Sequence, residues 1–309
     1  MRPISSIGET VLDIIIKDGK PLAANPGGSV LNTMVSLGRL GADTRFITEL
    51  GKDEPGAQVK TFLRDNGIDT SCIAEYDDMQ TPIALAYLDD SHNASYTFYK
   101  QYPSKRFRQA FLALPADGYF LFASSLALNE QVRPTILALI AAAVHSGNTI
   151  YYDPNCRPNP TSDARLQNLL MLENMREAHI VRGSDEDFNH IFGHCSLDEI
   201  WQQIDSPRLQ MLICTRGAQG VSLKRSGQIF HFSVPQIVPV STVGAGDTFN
   251  AGFIYGLAAR DIGSGQLEAL SEDALRQLCD TASACAAHVC CSLDNYISAE
   301  FAQSISLHK

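Results

Sequence analysis

Ser241-Thr242-Val243-Gly244-Ala245-Gly246-Asp247-Thr248-Phe249-Asn250-Ala251-Gly252 is the stretch on which the reading of this chain turns. Beyond it Phe253, Ile254 and Leu257 continue an apolar helical spacing, which puts Gly244 to Asp247 at a helix start. Small residues at that point let backbone N–H groups approach a ligand, and the positive end of the helix favours an anion. A carboxylate in the same turn would repel that anion unless it has a role of its own. Beside a bound phosphate, Asp247 is placed to accept the proton of an attacking hydroxyl. An Asp N-cap with glycines for close packing fits the same residues.

Upstream, from about residue 115, short β-rich runs alternate with helical stretches. Tyr119-Phe120-Leu121-Phe122, Thr149-Ile150-Tyr151-Tyr152, His179-Ile180-Val181 and Leu209 to Ile213 read as strands. Val132 to His145 and Arg165 to Met175 read as helices between them, and the apolar run Ile136 to Val144 suits a buried helix. The alternation predicts βαβ units and a mostly parallel sheet covered by helices. The first hundred residues differ. Thr10 to Lys17, Thr81 to Leu88 and Ser95 to Lys100 are strand-like, around a helix at Ser29 to Leu40, a strand at Arg45 to Ile47 and a helix near Ala57 to Asn66. Strands that cannot all join the parallel sheet predict a small antiparallel appendage, a lid over the sheet's edge.

A second motif sits at Pro26-Gly27-Gly28-Ser29-Val30-Leu31-Asn32. Paired glycines before an amphipathic helix expose backbone to a ligand. Asn32 falls one turn inside the helix, where Asn is a poor helix former, so a ligand contact is one reason for it and a solvent-facing position another.

The 309 residues carry 24 Lys+Arg against 34 Asp+Glu, a net charge of −10, which disfavours a nucleic-acid polymer as partner. Apolar content of 45% excludes intrinsic disorder, and no apolar stretch is long enough to span a membrane. Eight irregularly spaced cysteines and a first segment without a signal-peptide core predict reduced thiols in a cytoplasmic protein. The His residues show no metal-ligand spacing, and neither a P-loop nor a G-x-S-x-G elbow occurs. Gly244 to Phe249 gives only G-x-G-x-x-F, without the following strand and acid of a dinucleotide fold.

Together these segments resemble the ribokinase-like carbohydrate kinases, the phosphofructokinase-B family, over nearly the whole chain. Gly8-Glu9-Thr10-Val11-Leu12-Asp13 looks like the family's opening G-E-x-x-x-D. Gly27, Gly28 and Asn32 match its first signature, Asp153-Pro154-Asn155-Cys156-Arg157 its D-P-N-x-R, and Thr215-Arg216-Gly217-Ala218-Gln219-Gly220 its nucleotide turn. Thr242 to Asp247 match the second signature. The resemblance implies a three-layer α/β/α sandwich with a mostly parallel sheet over residues 1–309. It also implies a small β lid from about 10–25 and 80–105.

For function it implies transfer of phosphate from ATP to a sugar hydroxyl. Asp13, Gly27, Gly28 and Asn32 hold the sugar, Asp247 is the base, and Gly244, Ala245, Gly246 and Asp247 form the anion hole. Arg157, Ser184, Asp187, Thr215, Gly217, Gly220, Thr242, Gly244 and Gly246 serve the nucleotide. Mg²⁺ comes mainly with ATP, with Asp187 or Glu186 reaching it through water. A homodimer through the lid is a further implication.

The chain departs from the pattern at Ser241, where the family usually has Asp, and at Leu293-Asp294, where it often has Gly-Ala. Both changes argue against activation by a monovalent cation. Met34 is bulkier than the family's usual residue and fits either core packing or a narrowed sugar pocket. The runs Val181 to Glu186 and Tyr96 to Lys100 look most like fructokinases. A 2-keto-3-deoxygluconate kinase, with Lys100 and Arg106 receiving a carboxylate, and a ribokinase or nucleoside kinase stay open. A non-catalytic sugar sensor on the same fold is the alternative of a different class.

Overall fold

The computed structural model describes residues 1–88, 94–107, 114–156 and 163–306. In chain order the strands are β1 (Ile4–Ile7), β2 (Val11–Lys17), β3 (Lys20–Gly27), β4 (Thr44–Gly51), β5 (Ile73–Tyr76), β6 (Gln80–Leu88), β7 (Ala94–Gln101), β8 (Tyr119–Ala123), β9 (Thr149–Asp153), β10 (Ile180–Ser184), β11 (Met211–Thr215), β12 (Val221–Arg225) and β13 (Gln228–Phe232). The helices are α1 (Ser29–Arg39), α2 (Glu54–Asp65), α3 (Ser124–Ala127), α4 (Arg133–His145), α5 (Ala164–Arg176), α6 (Asp185–Phe192), α7 (Leu197–Ile204), α8 (Ala245–Ala259), α9 (Glu272–Cys290) and α10 (Ala299–Ser306).

The main sheet has the order β13-β12-β11-β10-β9-β8-β1-β4-β5. From β11 to β5 every pairing is parallel, and β12 and β13 add antiparallel pairs at one edge. Strict alternation along the strands feeds two cores. Tyr119, Leu121, Tyr151, Ile180, Met211 and Ile213 face α1, α8 and α9. Phe120, Phe122, Tyr152, Val181 and Leu212 face α4, α6 and α7. The strands are apolar on both sides because both faces are covered, as parallel sheets require. This is the three-layer α/β/α sandwich.

Helix α8 is the innermost helix, with every residue from Thr248 to Ala258 buried. It packs on α9 by close backbone approach: a Cβ on Gly252 would lie 2.7 Å from the Cα of Ala282. Helix α4 differs from its sequence reading. It buries Ile136, Leu139, Ile140 and Ala143, while Leu137 on its outer side is 37% exposed. Its alanines make the outer side apolar without making it a core, so one face is buried rather than the whole helix. Among the described residues no helix is long and apolar enough to cross a membrane.

The second sheet, β3-β2-β6-β7, takes the early strands that the parallel sheet leaves out. Strand β2 runs parallel to β6, and β3 and β7 pair antiparallel at the edges. Strand β3 runs up to Gly27, so the glycine pair lies where this sheet enters α1. Two polar anchors tie the sheet to the core. Asp53, the N-cap of α2, accepts from Thr81 N at 2.8 Å and Thr81 Oγ1 at 2.6 Å. Beyond β7, Arg106 pairs with Glu49 of β4 at 2.8 Å, both almost fully buried.

Candidate active site

The site assembles where the C-terminal ends of the parallel strands meet the N-terminus of α8. Gly244 is the N-cap of that helix, at φ 80°, and a Cβ there would lie 2.5 Å from the carbonyl oxygen of Asn295. Only glycine enters the helix on this path. Asp247 therefore sits inside the first turn and is not the N-cap. Its Oδ2 accepts from Asn32 Nδ2 at 2.9 Å, and its backbone carbonyl accepts from Thr33 Oγ1 at 2.9 Å. Asn32 is 5% exposed, so it is not a solvent-facing residue, and its Oδ1 is buried without a protein partner among the described residues. A helix-interior Asn with one hand on a carboxylate and one acceptor unused is poised for a further donor.

Asp13 lies at the other end of this region. It faces Asn25 across the β2–β3 pair, and a Cβ on Gly27 would come within 2.2 Å of its Oδ2. A side chain at position 27 would displace the Asp13 carboxylate. Burial pushes the Asp13 carboxyl up to about 6. Gly28, at φ 129°, caps α1 and leaves no room for a side chain against Glu9 O.

Two cavities lie beside the entry to α8. One, about 680 Å³, is lined by Asp13, Ile15, Asn25, Tyr96, Val243 and Leu293. The other, about 210 Å³, is lined by Thr215, Gly217, Gly220, Gly246, Ala286 and Arg182 among others. Pro239 and Thr242 line both, so the cavities meet at the segment that leads into α8. Backbone bonds from Val240 N and Ser241 N to Cys290 O, at 2.7 and 3.3 Å, pin that segment to the end of α9.

The turn Thr215–Gly220 has the geometry its glycines predict. Arg216 N donates to Gly220 O at 2.9 Å, and Gly220 adopts φ 101° against Phe232 O. Ser184 caps α6 with a capping box to Asp187. Asp187 is buried and accepts from Cys156 N at 2.7 Å, Ser184 N at 2.8 Å and Ser184 Oγ at 2.6 Å. Three of its four acceptor positions are filled, so it stitches two turns together, whereas Glu186 is exposed. Arg157 lies outside the described residues.

Several positions resolve differently from the sequence alternatives. Arg106 is buried against Glu49, not on a lid surface, and Lys100 Nζ donates to Glu9 Oε2 at 2.8 Å. Met34 is fully buried in the α1–α8 core. Ser241 Oγ accepts from Val243 N at 3.2 Å, and Leu293 is 67% exposed. Sequence reasoning missed Arg182, Asn250 and the carboxylate of Asp153 as a connected group. Arg182 Nη1 meets Asp153 Oδ2 at 3.2 Å, Asn250 Nδ2 donates to the same oxygen at 2.6 Å, and Tyr151 Oη donates to Asn250 Oδ1 at 2.9 Å. Burial raises Asp153 above the ordinary carboxylate range, against the pull of Arg182. The available signal was a lone arginine inside a run that otherwise reads as a buried strand.

A sandwich in which two cavities meet at the segment leading into a helix N-terminus, with a carboxylate in that helix's first turn, is a framework suited to phosphoryl transfer. The chain belongs to the pfkB family of carbohydrate kinases, whose signature matches residues 1–301. It is an ATP-dependent carbohydrate kinase by that membership. It is 29% identical over 285 residues to the fructokinase of Escherichia coli, covering 91% of each chain. It is 31% identical over 280 residues to the fructokinase of Klebsiella pneumoniae, covering 88% of this chain and 90% of that one. Among solved structures, a fructokinase with bound ATP from Xylella fastidiosa superposes with a TM-score of 0.88 at 20% identity, over 99% of this chain and 98% of that one. An aminoimidazole riboside kinase from Salmonella enterica superposes with a TM-score of 0.83 at 21% identity, over 98% and 99%.

Proposed function

We propose that this chain transfers the γ-phosphate of ATP to a hydroxyl of fructose. The observation that carries the reading is the meeting of the two cavities at Pro239 and Thr242, beside the turn that bears Asp247. The smaller, largely apolar cavity suits a nucleoside, with its triphosphate directed at the first turn of α8. The larger one, with Asp13 on its wall, suits a polyhydroxyl acceptor. ATP and sugar then approach the same turn from two sides, which in-line transfer needs.

In this reading Asp13, Asn25 and Asn32 orient the sugar. The Asn32 amide holds one oxygen of Asp247, leaving the carboxylate directed at the acceptor hydroxyl. Asp247 takes the hydroxyl proton as the oxygen bonds to phosphorus and the bond to ADP breaks. The N–H groups of Gly244 to Asp247 and the helix dipole stabilise the charge on the transferring group. Mg²⁺ bound with the nucleotide would neutralise phosphate charge. Because Asp187 is already committed to two turns, Glu186 is the carboxylate free to reach it through water.

Fructose is favoured over a sugar acid because Lys100 and Arg106 are neutralised by Glu9 and Glu49, and neither is a free cation for a carboxylate. The fructokinase relatives support the same choice. The second sheet supports a homodimer. Its face away from the cavity carries Ile14, Leu85, Tyr87 and Tyr99, the last two 45% and 60% exposed. A coupled ADP assay over ketohexoses, keto-deoxy sugar acids and nucleosides tests the acceptor. A kcat/KM for fructose far below that for a sugar acid or a nucleoside overturns it. Loss of ADP formation with every sugar favours the sensor.

A further inference from the structure

Arg182 is a buried cation at the centre of the structure, 6% exposed, on a strand whose neighbours Ile180 and Val181 are core residues. Its Nη2 donates to Thr215 Oγ1 at 2.6 Å and its Nη1 meets Asp153 Oδ2 at 3.2 Å. Its guanidinium lies under Gly246: a Cβ on that glycine would stand 2.6 Å from Nη1 and 3.1 Å from Nη2. Its Nε is buried without a hydrogen-bond partner among the described residues, and the ring of Phe249, one turn into α8, lies 5.5 Å from Cζ. The ends of β9, β10 and β11 and the first turns of α8 are therefore joined through one guanidinium. Asp153 holds it from one side together with Asn250, which α8 itself supplies.

A buried ion pair contributes little net stability, because desolvation offsets its attraction; an apolar pair of the same volume would do as well. Asp153 pairs with Arg182 directly, and the carboxylates of Asp187 and Asp247 act on it from further away, so the guanidinium stays charged. What the placement supplies is a fixed cation directly below the first turn of α8, on the wall of the smaller cavity.

We propose that Arg182 is a positioning residue for phosphoryl transfer. Its guanidinium braces the Gly244–Asp247 turn from beneath and sets a permanent positive charge under the phosphate that the turn holds. Gly246 is then required twice, for the approach of the phosphate above and of the guanidinium below. The inference rests on the reading of that turn as the phosphate site, so the experiment separates the two.

The test compares the full-length enzyme with Arg182→Lys, with the neutral pair Arg182→Gln plus Asp153→Asn, and with Asp247→Asn. Each is measured for kcat, for fructose affinity, for ADP affinity by calorimetry and for thermal unfolding. The neutral pair removes both buried charges together, which avoids stranding Asp153. It is expected to fold, to lose about 100- to 1000-fold in kcat, to weaken ADP by about tenfold, and to leave fructose affinity within threefold. Arg182→Lys is expected to recover kcat to within about tenfold of the wild type. A neutral pair that folds and keeps kcat within threefold overturns the proposal, as does a parallel loss of fructose and ADP affinity with a lowered melting temperature. If that pair does not fold, Thr215→Val decides: it frees one guanidinium nitrogen without leaving a charge unpaired. A fall of fivefold or more in kcat at unchanged fructose affinity supports the role, and an unchanged kcat overturns it. An active Asp247→Asn enzyme means that the reading of the turn has failed; an inactive one beside an active neutral pair means that only the role of Arg182 has.

Discussion

Asp13 carries an internal conflict that a titration exposes. In the proposed role the ionised form accepts the stronger, charge-assisted hydrogen bonds from sugar hydroxyls, yet burial moves the carboxyl from 3.8 to about 6. The folded state thus binds the proton more tightly than the unfolded chain does. Between these two values the native state holds the extra proton, so stability falls as pH rises through the window and the full cost is present above about 6. A shift of about 2 units corresponds to about 3 kcal/mol. Because Asp13 borders a cavity of about 680 Å³ that admits water, about 1–3 kcal/mol is the working range. Asp13→Asn removes the charge at nearly constant shape. At pH 7.5 the variant is expected to melt about 2–12 °C above the wild type, taking about 2–4 °C per kcal/mol. The difference should vanish towards pH 4, where the wild-type carboxyl is protonated in the native state. The same substitution deletes charge-assisted hydrogen bonds worth about 1.5–3 kcal/mol each, so fructose affinity should fall by at least tenfold. In the wild type, log kcat/KM should rise with unit slope up to about pH 6 and then level off. Scanning fluorimetry from pH 4 to 8 and initial rates over the same range provide both readouts. An Asp13→Asn variant less stable than the wild type at pH 7.5, or a flat kcat/KM profile between pH 5 and 7, refutes the reasoning.

Four further outcomes follow from the geometry. Asp247→Asn should lower kcat by about 100- to 10,000-fold while fructose affinity, measured by calorimetry, changes less than threefold; an equal loss of both would mean that Asp247 only binds. Glu49→Gln leaves the buried Arg106 charge uncompensated and should cost about 3–5 kcal/mol in urea unfolding, while Glu9→Gln, whose partner Lys100 is a third exposed, should cost less than about 1 kcal/mol. Exchanging K⁺ for a bulky organic cation should leave kcat unchanged, in keeping with Ser241 and Leu293-Asp294; a several-fold loss would contradict that. Tyr87→Asp with Tyr99→Asp should shift the sedimentation coefficient to that of a monomer, and a wild type that is itself monomeric at micromolar concentration would remove the dimer.

The parallel sheet was legible because its strands are apolar on both faces and its helices keep one apolar stripe, so Tyr119–Ala123, Thr149–Asp153 and the helices between them stand out in the sequence. The glycine motifs were legible because backbone approach leaves a residue-level trace at Gly27, Gly244 and Gly220. Strand β3 was not, since Lys20 to Gly27 carries Pro21, Pro26 and Gly27, which read as turn signals, and it is held by one hydrogen-bonded neighbour, β2. Arg106 and Glu49 were hidden for a different reason. Their pairing spans 57 positions, and each alone looks like a solvated charge. The same holds for Arg182, whose partners Asp153 and Thr215 come from separate strands, so that the buried network exists only once the sheet is assembled.

The second sheet departs from the main body only at β2–β3 and β6–β7, yet it furnishes Asp13, Ile15, Asn25 and Tyr96 to the larger cavity. The smaller cavity draws its walls from the later half of the chain, from Arg182 onward. The larger cavity thus takes one wall from the second sheet and the other from Pro239 to Val243 and Leu293 to Tyr296, and only the smaller one is confined to the later half. If the larger cavity holds the acceptor, as proposed, substitutions in the second sheet redirect which alcohol is phosphorylated without touching the walls of the smaller cavity, and a chimera exchanging residues 11–27 and 80–101 should shift acceptor preference.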